Sequence, residues 1–147
     1  MVVRTAKRIT QSMISAVSNR GLMRFMLYEG ALNADRFIAF LRRLIKDAGQ
    51  KVILIVDNLK VHKAGKVQAW VAEHRDKLEL FFLPAYAPEH NPDEFLHSDL
   101  KRSLARRPAA RDKAGLKSRL RGYLGRLQRQ PERVRAFFQA PTTRYAA

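Results

Sequence analysis

The chain has 147 residues, a length that suits one domain with an appendage, and its 46% hydrophobic content excludes global disorder. It has no cysteine, which excludes disulfides and thiolate zinc sites, and no apolar stretch near the roughly 20 residues that cross a bilayer, so no membrane partner is expected. The net charge is +16, and +12 of it lies in residues 100–147, which carry 14 bases and 2 acids. A basic end of this kind needs a polyanion, and a nucleic-acid backbone is the usual one.

The first eight residues, Met1-Val-Val-Arg-Thr-Ala-Lys-Arg, contain no apolar core of the secretory type. Residues 11–20 read as a strand closed by Asn19-Arg20-Gly21, and residues 22–28 as its hairpin partner. Asn33 is placed to cap a helix in which Phe37, Phe40, Leu41, Leu44 and Ile45 recur at helical spacing up to Gly49. The β-branched run Val52-Ile-Leu-Ile-Val56 predicts a short strand buried on both faces. A helix over 64–75 presents Val67, Trp70 and Val71 to the core, and Leu78 to Leu83 forms the next strand. A loop with Pro84, Pro88 and Pro92 follows, in which Tyr86 is expected to pack, with base stacking as its alternative role.

A helix starting near Asn91 or Pro92 carries Phe95, Leu96, Leu100 and Leu104. A second begins at Asp112, with Leu116, Leu120, Leu124 and Leu127 as its apolar stripe, and ends at Pro131. Residues 132–139 form a short third helix, and residues 140–147 read as irregular. Two hairpin strands followed by alternating strands and helices predict an α/β fold, a mixed sheet flanked by helices.

Two acids stand where carboxylates serve metal chemistry. Asp57 ends the buried strand, the position at which open α/β sheets place their sites. Burying its charge costs several kcal/mol (about 3–5) unless a partner such as a divalent cation compensates. The bland alternative is turn chemistry, for which Asp-Asn is ordinary. Glu94 sits just inside the helix after the third proline, where the helix dipole alone accounts for an acid. Asp93 and Glu89 compete for that explanation, and Asp93 lies roughly 100° around the helix from Glu94, so one of the two should face the sheet.

Asp57-Asn-Leu-Lys-Val-His62 and Leu83-Pro-Ala-Tyr-Ala-Pro-Glu-His-Asn-Pro-Asp-Glu94, with 36 residues between the two acids, resemble the second and third acidic motifs of mariner-superfamily transposases, and most nearly those of their bacterial insertion-sequence branch. Phe95-Leu-His-Ser-Asp-Leu-Lys101 and Leu27-Tyr-Glu-Gly30 extend the likeness over nearly the whole chain. The resemblance implies a ribonuclease-H-like fold and a DDE-type triad of acids holding two Mg²⁺ or Mn²⁺ ions, with Asp57 and Glu94 as catalytic, metal-binding members. Asn58 and His62 are their candidate supporting residues, although a histidine at this position more often caps or decorates the following helix. Lys60, Lys63, Lys101, Arg102, Arg106 and Arg107 are candidate DNA phosphate contacts, and each is also an ordinary solvated cation.

The implied function is metal-dependent DNA cleavage and strand transfer, on transposon ends and target DNA, by a homo-oligomer in the bacterial cytoplasm at the nucleoid. Residues 1–107 are expected to form the catalytic domain and residues 108–147 a basic helical extension. One departure stands out. The family's first acid belongs on a strand before the hairpin, yet residues 1–13 contain no Asp or Glu, and Glu29 and Asp35 follow the second strand. The catalytic domain is therefore expected to lack its first strand. One expectation is that an upstream transposase segment completes it in a split element; a relic and a misassigned start are the others. The contrasting reading is a non-catalytic basic DNA-binding module. An RNA-binding protein is disfavoured, because the strands carry no aromatic pattern of the RNP type.

Overall fold

The computed structural model describes residues 1–4 and 9–147. Residues 5–8 belong to the stretch read above as lacking a signal core and an acid, and lie outside the described residues. In chain order the elements are β1 (Val2–Arg4), β2 (Thr10–Val17), β3 (Met23–Tyr28), α1 (Ala34–Ala48), β4 (Val52–Val56), α2 (Gly65–Glu73), β5 (Leu78–Phe82), α3 (Asp93–Ala105), α4 (Lys113–Gln128) and α5 (Pro131–Ala136). Short 3₁₀ turns occupy Lys60–Lys63, Pro88–His90 and Arg144–Ala146. The chain divides into two compact units, one of residues 1–30 with 92–147 and one of residues 31–91.

The first unit is built on an antiparallel ladder, β1-β2-β3. The hairpin has the expected strands, with Ser12 opposite Tyr28 and Val17 opposite Met23. The strand before it was not expected. β1 pairs Val2 with Ser12 and Arg4 with Thr10. At three residues it is too short for a periodic signal, and the ladder rather than its own pattern holds it in place. None of its residues is acidic.

Helices α3, α4 and α5 pack on this ladder around one core, in which Met13, Met23, Leu96, Leu100, Leu116, Leu120, Leu124, Leu127 and Val134 are all buried. The leucine stripe of α4 buries as its spacing required. Asp112 caps the helix by accepting from the Gly115 N–H at 2.7 Å. Gln128 Nε2 donates to the Met23 carbonyl at 2.9 Å, tying the end of α4 to the first residue of β3. Residues 140–147 are more ordered than expected. Thr143 is fully buried and its hydroxyl donates to the Phe137 carbonyl at 2.8 Å. A local contact of this kind leaves no periodic trace in a sequence.

Glu29 bridges Lys113 and Lys117 of α4. Bonds from these two ammonium groups hold its carboxyl down at about 2, against about 4.5 for an ordinary glutamate. A depressed folded-state pKa contributes stability above the unfolded value, and that contribution is lost as pH falls from about 4.5 towards 2. Because the carboxylate is exposed, the effect is small. Urea midpoints of the wild type and Glu29→Gln should therefore differ at pH 7 and converge as the pH approaches about 2. A gap that persists there undiminished would contradict the assignment.

The second unit pairs β4 with β5 in parallel, Val52 opposite Leu78 and Val56 opposite Phe82, with α2 as the crossover between them and α1 leading into β4. Asn33 caps α1 by accepting from the Arg36 N–H at 2.8 Å, and Gly49 ends it in the left-handed region at φ 67°. Phe37, Phe40, Leu41 and Leu44 are buried on its inner face. The prediction that β4 is buried on both faces fails. Val56 and Leu78 are buried, but Ile53 is 66% exposed, and Phe81 beside Ile55 is also exposed. A continuous apolar run does not reveal whether a second layer covers its far side.

Candidate metal and nucleic-acid site

The second unit sets Asp57 at the carboxyl end of β4, one residue past Val56. Its Oδ1 accepts from the Asn91 side-chain amide at 3.0 Å. The neighbour that reaches the carboxylate is thus the asparagine of the Asn91-Pro92 pair, to which the sequence assigned no role of its own. Asn58 is exposed. His62 is buried in the 3₁₀ turn, its ring 4.5 Å from that of Phe37. Its Nδ1 lies 2.8 Å from the Asp57 carbonyl oxygen. A carbonyl only accepts, so Nδ1 carries the proton, and the contact fixes the backbone at Asp57 rather than its carboxylate. Burial pushes the imidazole below its usual range, with the Asp57 contact opposing that shift.

Lys60 and Lys63 are exposed on the same turn, and the Lys63 ammonium lies 5.2 Å from the Phe82 ring centre. Tyr86 does not pack as expected. It is 100% exposed and held at φ 60°, a conformation uncommon for a non-glycine residue. A packing side chain would not be left wholly in water at a strained position. Trp70, expected in the core, is half-buried and stacks on His74 with ring centres 4.0 Å apart.

The first unit holds Glu94 in the first turn of α3. Of the two adjacent acids, Asp93 is the one that meets the sheet. Its carboxylate oxygens each lie 2.8 Å from the Ser15 hydroxyl of β2, and its side chain is only 13% exposed. The Glu94 side chain is 42% exposed and lies 3.6 Å from Nδ1 of His97. Farther along α3, Lys101, Arg106 and Arg107 are exposed. Arg102 pairs with Asp99 at 2.7 Å, and Asp99 also takes Arg133 at 2.9 Å, so part of this positive charge is met inside the protein.

Carboxylate oxygens at Asp57 and Glu94 are the donors that hard divalent cations take. Asp57 keeps lone pairs beyond the one used by Asn91, and Glu94 is open to solvent, so each fits a cation ligand on its own terms. Among the described residues no three His, Cys, Asp or Glu side chains converge into a ready-made metal cluster. No helix among them is long and apolar enough to cross a membrane.

An antiparallel ladder, a parallel strand pair joined by a helix, and flanking helices make this a ribonuclease-H-like α/β fold. The sequence pattern of the DDE superfamily endonucleases matches residues 2–117, and the chain belongs to that family. The fold is similar to the catalytic domain of Mos1 mariner transposase, with a TM-score of 0.72 at 16% identity, over 95% of this chain and 76% of that one. The same domain solved with Raltegravir and Mg gives a TM-score of 0.72 at 16% identity, over 95% and 77% of the two chains. In the Mos1 paired-end complex with Mn the TM-score is 0.69 at 16% identity, and all of this chain matches 47% of the longer protein. A comparison with curated proteins found no match.

Proposed function

We propose that this chain acts in DNA transposition as the catalytic part of a DDE transposase, cleaving and joining DNA with divalent cations. Asp57 and Glu94 are its metal-binding acids, Asn91 and His62 hold Asp57 in place, and residues 108–147 are a basic helical extension. The observation that carries the reading is the family match over residues 2–117, within which one acid ends β4 and the other opens α3. Relatives in fold support the cofactor and the partner: Mos1 transposase is solved with Mg, with Mn, and as a paired-end complex with a transposon end. The Asp57 and Glu94 carboxylates would each be ligands for Mg²⁺ or Mn²⁺, which when bound would supply activation of an attacking oxygen and stabilisation of a leaving one. The exposed cations Lys60, Lys63, Lys101, Arg106 and Arg107, with Arg102, contact phosphates. A homo-oligomer holding two DNA ends, in a bacterial cytoplasm, suits that chemistry.

The strand before the hairpin carries no acid, and neither does the rest of residues 1–28. Activity on this reading therefore needs a first acid supplied by an upstream segment. The same fact favours the second reading, a DNA-binding module without catalysis.

The two separate in one assay. The chain is mixed with a segment bearing the first acid and with plasmid DNA carrying the repeats that flank its own reading frame. Nicked circles are expected in Mn²⁺ and none after chelation by EDTA. Binding without nicking, with or without the added segment, would establish the second reading, and nicking that survives EDTA would remove the metal from the mechanism.

A further inference from the structure

The cluster behind Glu94 goes beyond what the family's acids explain. Ser15, Asp93 and His97 are joined by hydrogen bonds: Ser15 Oγ lies 2.8 Å from both Asp93 oxygens, His97 Nε2 lies 3.0 Å from Asp93 Oδ2, and Ser15 Oγ lies 3.2 Å from His97 Nε2. An ionised carboxylate only accepts, so the serine hydroxyl and the Nε2–H both donate to Asp93. That fixes the tautomer. In the neutral ring the proton is on Nε2 and the lone pair is on Nδ1.

Nδ1 faces Glu94 Oε1 across 3.6 Å, too far for a hydrogen bond. In the neutral ring, two electron-rich atoms face each other there, with Nε2 held by Asp93. A cation between them resolves the arrangement, because ligand distances of about 2.0–2.2 Å let one ion bridge donors up to about 4 Å apart. Glu94 and His97 are three residues apart on α3 and so share a face. The supporting pair is sheltered, with the Asp93 and His97 side chains 13% and 15% exposed. A histidine that gives one ring N–H to a carboxylate and keeps its other nitrogen bare is the arrangement by which proteins orient a metal-binding imidazole.

We propose that Nδ1 of His97 is a nitrogen ligand of the cation that Glu94 holds, with Asp93 and Ser15 as positioning residues that fix its tautomer. The proposal rests on the reading of Glu94 as a metal-binding acid. It adds a consequence that an all-oxygen site does not have. Imidazole suits transition metals better than Mg²⁺, so the site prefers Mn²⁺ more strongly than carboxylates alone would.

Binding is measured on the whole chain by titration with Mn²⁺ and with Mg²⁺, and the Mn²⁺ form is examined by pulsed electron paramagnetic resonance for coupling to a ¹⁴N nucleus. The wild type should show imidazole nitrogen coupling. His97→Gln should lose that coupling and bind Mn²⁺ about 10–100-fold more weakly, with a smaller loss for Mg²⁺. Asp93→Asn should keep the coupling with weaker Mn²⁺ binding, since the ring stays but its orienting charge goes. If Glu94→Gln weakens Mn²⁺ binding while His97→Gln keeps both affinity and nitrogen coupling, His97 is no ligand and pairs with the two carboxylates as a cation instead. If Glu94→Gln leaves Mn²⁺ binding unchanged, the assignment of Glu94 itself fails, and this proposal with it.

Discussion

Asp57→Asn and Glu94→Gln are each expected to lower Mn²⁺-dependent DNA cleavage by about 10³-fold or more, with little change in stability. Both substitutions keep the shape of the side chain and remove its charge. The wild-type carboxylate accepts from the Asn91 amide at 3.0 Å, and the amide oxygen introduced by Asp57→Asn can accept the same bond, so the local fold survives. On the proposed reading, what each substitution removes is the anionic oxygen that would bind and orient a divalent cation. Residues acting on one chemical step are not additive, so the double substitution should be little worse than either single one. Single-turnover cleavage of a labelled end duplex, by the chain supplied with the first-acid segment, measures this directly. Cleavage at the wild-type rate by Asp57→Asn would remove that residue from the site, and a collapsed urea midpoint would show that the charge served the fold.

Gly21→Ala should destabilise the first unit by about 2–5 kcal/mol. Two costs add at this position. Gly21 turns the β2–β3 hairpin at φ 91°, where an L-residue is strained. A Cβ there would also lie 2.6 Å from the Pro131 carbonyl oxygen and 2.8 Å from the Pro131 Cβ. Pro131 opens α5, whose Val134 is buried in the core, so the proline cannot simply retreat. Gly49 provides the control. It has φ 67° but open space around its missing Cβ, so Gly49→Ala should show the backbone cost alone, about 1–2 kcal/mol. Urea unfolding of the two variants separates strain from packing. Equal losses would mean that the hairpin turn and α5 do not press on each other.

The elements that were legible were those with a local rule behind them. The leucines of α4 recur every three or four residues, and Asp112 supplies its cap. Asn33 and Gly49 bound α1 from both ends. The acids were legible for another reason, since the end of an apolar run and the first turn after a proline loop are both local positions. What escaped was non-local. β1 is three residues long and exists through its ladder with β2. Ser15 meets Asp93 across 78 positions of sequence, and Asn91 meets Asp57 across 34. The Glu94–His97 spacing was visible in the sequence, but its meaning depended on the ring being held by Asp93.

The sequence by itself determined the family, the placement of Asp57 at a strand end and Glu94 at a helix start, and the basic character of residues 100–147, because motif spacing and charge are properties of a string. Only the tertiary structure decided which acid of the Asp93–Glu94 pair turns to the sheet, which amide steadies Asp57, and that one face of β4 is bare at Ile53. The physical reason is the same in each case. A side chain's partner is chosen by packing between elements far apart in the chain, and hydrogen bonds of about 3 Å resolve what a helical or strand period cannot.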